Sequence, residues 1–230
     1  MKTLGIIPAR GGSKGVTKKN IRLVDGEPLI YYAIKAAQES LLLTNCVVTT
    51  DDDAIIEVVK KYNCNFQKRD ISNAQDNTPI EPVITEVLEK LNKDYELIIL
   101  LQPTAPIRTG KDIDNVIEMF KNDSTTESVV SVIELNDIHP ARMYTIDDFL
   151  KMLPLNKMDE RKIRQDLTPV YLRNGCIYAV TTSAFYKENK LITNNKKAYV
   201  MPESMWANID TERDLLITEV LVKEWRKGKL

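Results

Sequence analysis

Short apolar runs alternate with segments of helical apolar spacing along most of the chain. Short runs of mostly apolar or β-branched residues are typical of buried strands, and they occur at residues 4–7, 46–50, 97–101 and 128–133. Apolar residues recur at helical intervals in the segments 28–37, 54–62, 78–91 and 111–121. Strands that are apolar on both faces and separated by helices indicate a mostly parallel sheet covered on each side. We therefore predict an α/β fold.

This pattern breaks down between Asn136 and Tyr171. Charges, single apolar residues and prolines dominate there, with weak alternation around residues 142–146. Such a segment predicts hairpins that cannot build a core of their own. We expect one domain over residues 1–230, with residues 136–172 as an inserted arm that docks on another subunit.

The alternating pattern resumes after the arm. Residues 173–180 predict a strand that returns to the sheet, and Asn174-Gly175 suits either a hairpin turn or the start of a strand that lines the site. An amphipathic helix follows at 215–225. Thr211 and Asp214 stand just before it, in an arrangement close to a capping box.

Composition narrows the class of protein. Apolar residues make up 43% and charged residues 28% of 230, which is ordinary for a globular enzyme. A net charge of −1 argues against a nucleic-acid binder. No apolar run approaches the roughly 20 residues that span a bilayer, and no signal-peptide pattern is present. Three distant cysteines lack metal-site spacing and suit a reducing compartment, so we expect a cytoplasmic protein.

The candidate chemistry begins in the loop after the first predicted strand. Its sequence, Pro-Ala-Arg-Gly-Gly-Ser-Lys-Gly over residues 8–15, combines flexible glycines with cations, and Lys18, Lys19 and Asn20 follow. Backbone N–H groups and positive charge at the end of a strand suit a polyphosphate, although a solvated basic turn is the alternative. The loop matches neither the Walker nor the dinucleotide pattern. Asp51 and Gln102-Pro103-Thr104 are expected at the same sheet edge.

Residues 6–20 closely resemble the signature loop of the acylneuraminate (CMP-sialic acid) cytidylyltransferases. Further motifs of that family follow in order: Thr50-Asp51, Arg69 with Asp76, Leu-Leu-Gln-Pro-Thr-Ala-Pro-Ile-Arg at 100–108, His139-Pro140, Arg164-Gln165, Asn174-Gly175-x-x-Tyr178 and Ile209-Asp210-Thr211. The related Kdo cytidylyltransferases would have Gln-Gly-Asp-Glu-Pro where this chain has Gln-Pro-Thr-Ala-Pro. The resemblance therefore favours the branch that acts on nonulosonic acids.

The resemblance implies a fold, a reaction and a partner. The fold would be a Rossmann-like, three-layer nucleotidyltransferase domain whose inserted β-hairpin arm, 136–172, forms a homodimer. The reaction would transfer CMP from CTP to the anomeric hydroxyl of a nine-carbon 2-keto sugar acid of sialic, legionaminic or pseudaminic type. Pyrophosphate would leave, with Mg²⁺ or Mn²⁺ as the metal. No nucleic acid or membrane partner is implied.

The resemblance also implies roles for individual residues. Catalysis would rest on Arg10, Lys14, Lys19 and Asp210. The nucleotide would be bound by Ala9, Arg10, Gly11, Gly12, Ser13, Lys14, Asn20 and Arg69. The sugar would be bound by Gln102, Thr104, Arg164, Asn174 and Tyr178, with Arg164 as the bidentate partner of the C1 carboxylate. The metal would be held by Asp210 and Asn208.

Some of these assignments have alternatives. The sialic branch often has Asp-x-Asp where this chain has Asn208-Ile209-Asp210, so the metal role of Asn208 is doubtful and Asp214 could supply a second carboxylate. Gln102, Thr104 and Arg108 could instead be polar residues that fix their loop, and His139 could be structural. The function could instead be that of a CMP-Kdo synthetase, another sugar nucleotidyltransferase or a non-catalytic nucleotide-binding relative. The motifs do not say which nonulosonic acid is used.

Overall fold

The computed structural model describes residues 1–12 and 15–230. The strands are β1 Thr3–Pro8, β2 Leu23–Val24, β3 Glu27–Pro28, β4 Asn45–Thr50, β5 Asn65–Lys68, β6 Leu97–Leu100, β7 Ser128–Leu135, β8 Tyr144–Ile146, β9 Met152–Pro154, β10 Val170–Thr181 and β11 Lys196–Met201. The helices are α1 Leu29–Glu39, α2 Asp53–Lys61, α3 Ile80–Leu91, α4 Gly110–Asn122, α5 Thr182–Glu188 and α6 Glu212–Arg226. None of these helices is long and apolar enough to cross a bilayer.

Across the described residues, seven strands form one sheet in the order β11-β7-β10-β6-β1-β4-β5. β1 pairs in parallel with β4 and β6, while β4 pairs in parallel with β5, and β7 with β11. β10 alone among them runs antiparallel to its neighbours β6 and β7. The mostly parallel sheet predicted from the sequence is therefore confirmed.

Helices cover both faces of this sheet because its central strands are apolar on both sides. One face packs against α1, α2 and α4, with Ile7, Ile99 and Ile133 contributed by the strands. The opposite face packs Leu4, Ile6 and Ile98 against α3 and α5. Alternate residues of one strand thus pack into two different hydrophobic cores, one on each face of the sheet. The result is the three-layer Rossmann-like arrangement. α6 lies outside the sheet and packs against the α1 region.

Helix boundaries follow local chemistry. Thr109 and Thr211 cap α4 and α6, each in a capping box completed by the aspartate three residues later. The predicted capping box at Thr211 and Asp214 is therefore confirmed, although α6 begins three residues earlier than the apolar spacing indicated. Asp52 caps α2 by accepting from the backbone N–H groups of Ala54 and Ile55.

Several elements were absent from the sequence prediction, among them β5, β11 and α5. β5 and β11 are the two edge strands of the sheet, with mostly exposed or half-buried residues, so they lack the apolar run used to recognise the central strands. α5 has only seven residues, of which Ala184 and Phe185 are buried. The Asn174-Gly175 dipeptide is not a hairpin turn: it lies within the continuous strand β10, at a register shift between Arg173 and Tyr178.

The inserted segment contains a short antiparallel hairpin, β8–β9, that is separate from the main sheet. Several apolar side chains of the inserted segment are strongly exposed, including Phe149 (90%), Leu150 (83%) and Met158 (90%). His139 is buried at the base of the segment. Its Nδ1 accepts from the backbone N–H of Ala141, and its Nε2 lies 3.0 Å from the carbonyl oxygen of Thr168. These contacts support the structural interpretation of His139.

Helix α4 begins directly against the end of α1. Gly110 is buried there, and a Cβ on it would lie 2.4 Å from the carbonyl carbon of Glu39 and 2.5 Å from the backbone nitrogen of Ser40. Asp114, one turn further along, accepts hydrogen bonds from Ser40 Oγ and from the backbone N–H groups of Leu41 and Leu42. The α1–α4 junction therefore has no room for a methyl group.

We expect Gly110→Ala to lower the free energy of unfolding by about 1–3 kcal/mol, the usual cost of overpacking against backbone. This cost exceeds the helix-propensity gain of at most about 1 kcal/mol that alanine brings. Urea denaturation followed by circular dichroism measures the change. Gly12→Ala is the matched control, since a Cβ there meets no described atom within 4 Å. Equal stability of the two variants would contradict the packing argument.

Candidate active site

The loop after β1 folds back over the end of β4. The backbone N–H of Ala9 donates to the carbonyl oxygen of Thr49 over 3.0 Å, and that of Gly11 donates to Asp51 Oδ1 over 3.0 Å. Gly11 needs to be a glycine because a Cβ would lie 2.4 Å from Asp52 Oδ2. Further along, buried Asn20 donates through Nδ2 to the carbonyl oxygen of Arg10 over 2.9 Å. The Asn20 side chain thus holds the two ends of this loop together.

The same loop meets the segment that precedes α6. Lys19 Nζ donates to the carbonyl oxygen of Ile209 over 2.7 Å and lies 3.6 Å from Asp210 Oδ1. Gly15 approaches this segment so closely that a Cβ on it would lie 1.9 Å from the carbonyl oxygen of Asp210. Lys19 is largely buried, with 14% of its side chain exposed, whereas 70% of the Asp210 side chain is exposed. The contact therefore presents a fixed ammonium group beside an accessible carboxylate.

Two arginines add positive charge. Arg69 is 6% exposed and donates from Nη2 to the carbonyl oxygen of Thr49 over 2.8 Å. Burial lowers the pKa of Arg69, and the carboxylates of Asp51 and Glu86 partly offset this effect. Arg10 is more exposed; its Nη1 lies 2.8 Å from Asp76 Oδ1 and donates to the carbonyl oxygen of Gln75 over 3.3 Å.

These groups surround a cleft of about 390 Å³ at the carboxyl ends of β1 and β6. Its walls are formed by Pro8, Arg10, Gly15, Lys19, Asn20, Arg69, Asn73, Gln75, Asp76, Thr78, Pro79, Ile80, Val83, Gln102, Pro103, Thr104 and Asp210. The residues come from four separate chain segments, and three of these residues, Arg10, Lys19 and Arg69, are cationic. Such a cleft suits a polyphosphate whose charge is shared between several donors.

The loop after β6 is held by Arg108, whose side chain is only 1% exposed. Arg108 Nη2 donates to the carbonyl oxygens of Gln102 and Ala105. Complete burial lowers its pKa. This geometry supports a structural role for Arg108, because its side chain fixes the backbone that carries Gln102 and Thr104 into the cleft.

The residues predicted to bind the sugar separate into three groups. Gln102 and Thr104 line the cleft, and Tyr178 lines an adjoining cavity that shares Gln102 with it. Asn174 is buried at 1% exposure. Its Oδ1 accepts from Ser131 Oγ over 2.6 Å, and its Nδ2 donates to Met201 Sδ over 3.2 Å. Its side chain therefore stabilises the irregular part of β10.

Arg164 lies on the inserted segment. Its side chain is 61% exposed, and Nη1 forms an ion pair with Asp137 Oδ1 over 2.7 Å. It is not among the residues that line the cleft or the adjoining cavity. Ser13 and Lys14, predicted to bind the nucleotide, lie outside the described residues.

The side chains of Asn208 and Asp210 contact each other. Asn208 Nδ2 donates to Asp210 Oδ2 over 2.7 Å, so in this arrangement Asn208 orients the carboxylate. Asp214 is engaged in the α6 cap, where its Oδ2 accepts from the backbone N–H groups of Asp210 and Thr211. These hydrogen bonds, chiefly that from the Thr211 hydroxyl, hold the pKa of Asp214 below its usual range. This geometry favours a capping role for Asp214.

Comparison with known proteins decides the family. A family model described as "Cytidylyltransferase" matches residues 4–209. The chain belongs to the cytidylyltransferase family. This cytidylyltransferase is 30% identical to the pseudaminic acid cytidylyltransferase of Campylobacter jejuni, over 97% of each chain. It is also 30% identical to the CMP-N,N'-diacetyllegionaminic acid synthase of Legionella pneumophila, again over 97% of each chain.

Other relatives share the domain within longer chains or only the fold. The N-acylneuraminate cytidylyltransferase of Streptococcus agalactiae is 29% identical over 94% of this chain, which corresponds to 52% of the relative's length. A solved CMP:2-keto-3-deoxy-manno-octonic acid synthetase complexed with CTP superposes with a TM-score of 0.74. Its identity is 15%, with 98% of this chain and 100% of that one covered, so it shows the fold alone.

Several wall residues of this cytidylyltransferase were missed by the sequence reasoning. Asn73, Gln75 and Thr78 belong to a polar loop without helical or strand periodicity, which gave no signal beyond the Arg69–Asp76 spacing. Gly15 was recognised only as part of a glycine-rich loop. Its specific role, to admit the carbonyl oxygen of Asp210, depends on a contact between residues far apart in the chain.

Proposed function

We propose that this protein transfers CMP from CTP to the anomeric hydroxyl of a nine-carbon 2-keto sugar acid and releases pyrophosphate. The observation that carries the proposal is the meeting of Lys19 with Asp210 in a cleft that Arg10 and Arg69 also line. The full-length similarity to relatives named for pseudaminic and diacetyllegionaminic acid supports the sugar class.

The chemistry is a substitution at phosphorus. The anomeric oxygen forms a bond to the α-phosphorus while the bond from that phosphorus to the bridging oxygen of the β-phosphate breaks. Pyrophosphate leaves with that oxygen, and the hydroxyl proton is released. Such a transfer depends mainly on positioning and on neutralising charge at the phosphate oxygens.

We assign the triphosphate to the loop after β1. Lys19 has three N–H donors, of which one is used by the carbonyl oxygen of Ile209, so two remain for phosphate oxygens. Arg10 and the backbone N–H of Gly12 would neutralise the same phosphate charge, together with Ser13 and Lys14. Gly11 would contribute by its lack of a side chain, because its own N–H donates to Asp51. Ala9, Asn20 and Arg69 would face the nucleoside.

We assign the sugar to the side of the cleft formed by Gln102, Thr104 and Tyr178. Asn174 would act indirectly, by holding the β10 backbone beside that side of the cleft. Arg164 remains our hypothesis for the C1 carboxylate. Because it lies on the arm and outside the cleft of its own chain, this role requires that the arm of a second copy carries it to the site.

We place Mg²⁺, or Mn²⁺, at Asp210. Within residues 1–12 and 15–230 no three acidic, histidine or cysteine side chains cluster as a metal site. An exposed carboxylate at the cleft wall nevertheless fits Mg²⁺, which usually binds one or two carboxylates and takes its other ligands from water and substrate phosphates. When bound, the ion would neutralise phosphate charge; Asn208 would orient Asp210 toward it.

We further propose a homodimer in the cytoplasm. The exposed apolar side chains of the β8–β9 hairpin support the dimer because they are unburied in one copy. The free thiols of Cys46, Cys64 and Cys176 support a reducing compartment.

The first prediction tests the reaction itself. Purified protein with CTP, Mg²⁺ and a nonulosonic acid should release pyrophosphate, and ATP, GTP or UTP should not replace CTP. Lys19→Ala should lower kcat by about 10²–10³, the usual loss for one electrostatic contact to the transition state. Coupled pyrophosphate detection measures both effects.

Lys18→Asn is the matched control for Lys19→Ala. Lys18 is exposed and has a φ of 52°, a backbone conformation that asparagine tolerates, so the variant removes charge without strain. It should keep kcat near the wild-type value. Near-wild-type turnover in Lys19→Ala would exclude Lys19 from the mechanism. Pyrophosphate release from CTP with Kdo, but not with a nonulosonic acid, would show that the proposed substrate class is wrong.

The second prediction concerns the metal. Asp210→Ala should abolish Mg²⁺-dependent turnover, and Asn208→Asp should keep activity and tighten Mn²⁺ binding, because a second carboxylate adds negative charge beside Asp210. Electron paramagnetic resonance of Mn²⁺ in the presence of CTP measures that affinity independently of turnover. Full activity in excess EDTA would refute the metal site.

The third prediction concerns the arm. Phe149→Asp should shift a dimer toward monomer at micromolar concentration, because it places a charge on a side chain that the partner would bury. Sedimentation velocity measures the shift. Leu41→Asp, equally exposed at 90% but remote in sequence from the arm, is the control and should remain dimeric. A fully active wild-type monomer would contradict the proposal.

A further inference from the structure

Arg69, a buried cation of the cleft wall, stands directly after β5. Its backbone N–H donates to the carbonyl oxygen of Thr50 over 2.8 Å. Its Nε and Nη2 both donate to Thr49, and no described residue accepts a hydrogen bond from Nη1. The two N–H groups of Nη1 therefore remain for a ligand in the cleft. Their direction depends on how the backbone at Arg69 is held.

Helix α3 holds the peptide groups on both sides of Arg69. Lys90 Nζ donates to the carbonyl oxygen of Lys68 over 2.9 Å, and Glu86 Oε1 accepts from the backbone N–H of Asp70 over 2.8 Å. β5 is an edge strand whose neighbour in the sheet is β4, so strand pairing supports this edge from one side. The two α3 side chains, which we call the α3 pair, supply hydrogen bonds that a second neighbouring strand would otherwise provide.

The geometry of the α3 pair is fully determined by its partners. Glu86 and Lys90 lie one helical turn apart and form an ion pair, and the Glu86 side chain is only 8% exposed. Glu86 Oε2 also accepts from Nδ2 of Asn73, a wall residue of the cleft, over 2.6 Å. The three N–H groups of Lys90 match three acceptors: the Lys68 carbonyl oxygen, Asp70 Oδ1 and Glu86 Oε1.

Charge strengthens this arrangement. Burial raises the pKa of Glu86, but the hydrogen bonds from Asn73, Lys90 and the Asp70 backbone outweigh burial and hold that pKa below its usual range. Burial lowers the pKa of Lys90, but its bonds to Asp70 and Glu86 outweigh burial and raise it. Both groups are therefore charged at neutral pH. The Glu86 carboxylate also offsets part of the cost of burying the Arg69 charge.

We propose that Glu86 and Lys90 are positioning residues for nucleotide binding, which hold Arg69 so that Nη1 meets the nucleoside of CTP. The inference rests on the proposed function, which assigns Arg69 to the nucleoside. Neither member of the α3 pair lines the cleft, so both act through Arg69 and its flanking peptide groups. An exposed helical ion pair would contribute little, whereas this one has its hydrogen bonds beside a ligand-binding side chain.

The test measures CTP binding in the absence of the sugar acid. Isothermal titration calorimetry with Mg²⁺ and CTP gives the Kd without turnover. We expect Glu86→Ala and Lys90→Met each to raise that Kd by about 10–100-fold, since a misplacement of about 1 Å can cost about 10²-fold. At saturating CTP, the KM of the sugar acid should stay near its wild-type value. Lys90→Met keeps the apolar stem at a partly exposed site, so it provides the test where Glu86→Ala fails to fold.

A double-mutant cycle separates positioning from a general loss of stability. Because the α3 pair acts through Arg69, Lys90→Met should raise the Kd of CTP far less when it is combined with Arg69→Gln than in the wild-type background. A general loosening of the fold would weaken binding in both backgrounds alike. Glu118→Ala is the matched control, because it removes an exposed glutamate–lysine pair with Lys121 on α4. It should leave the Kd of CTP unchanged.

The outcomes distinguish this inference from the proposed function. An unchanged Kd in Lys90→Met and in folded Glu86→Ala overturns the inference, and so does an equal loss in the Arg69→Gln background or in Glu118→Ala. An unchanged Kd in Arg69→Gln itself removes Arg69 from nucleoside binding and overturns the inference with it. Absence of CTP binding and of pyrophosphate release in the wild-type protein overturns the proposed function.

Discussion

The geometry of the site depends on the close approach of Gly15 to the carbonyl oxygen of Asp210. Only a residue without a side chain permits this approach, since a Cβ would lie 1.9 Å from that oxygen. The contact brings Lys19 within 2.7 Å of the Ile209 carbonyl oxygen across 190 residues of sequence. Before a nucleotide arrives, Asp210 lies beside Lys19 and Asp76 beside Arg10. In the proposed reaction, a triphosphate would compete with these two carboxylates for Lys19 and Arg10.

The sequence was informative where burial enforces a pattern. β1, β4, β6 and β7 are apolar because helices cover both faces, so their runs were visible and their positions were predicted to within a few residues. The edge strands β5 and β11 are only partly covered: each pairs with one neighbour, and most of their side chains are exposed or half-buried. No local pattern records such pairing, which is why they were missed.

The site residues also divide into those that a local sequence pattern predicted and those that it did not. Residues of the loops after β1 and β6 were predicted to converge because parallel strands end at one edge, and the cleft confirms this for Arg10, Lys19 and Gln102. The orientation of Asn174 could not be predicted, because the sequence does not reveal the register shift in β10. It turns Asn174 toward Ser131 and Met201, into the core, while Tyr178 reaches a cavity wall. The position of Arg164 depends on how the arm is placed, which no local pattern defines.

In the proposed assignment, the reversed strand β10 contributes to the sugar side of the cleft and not to the nucleotide side. Because it runs antiparallel to β6, with Tyr178 opposite Leu100 and Thr181 opposite Leu97, its earlier residues extend beyond the end of β6, toward the cleft. The arm precedes β10 directly, so it enters the sheet at that same edge. The side that we assign to the triphosphate is formed instead by the loop after β1 and the segment before α6. Under this assignment, substitutions in β10 or in the arm would change sugar recognition without moving Lys19 or Asp210, so one phosphoryl-transfer site would serve different sugar acids.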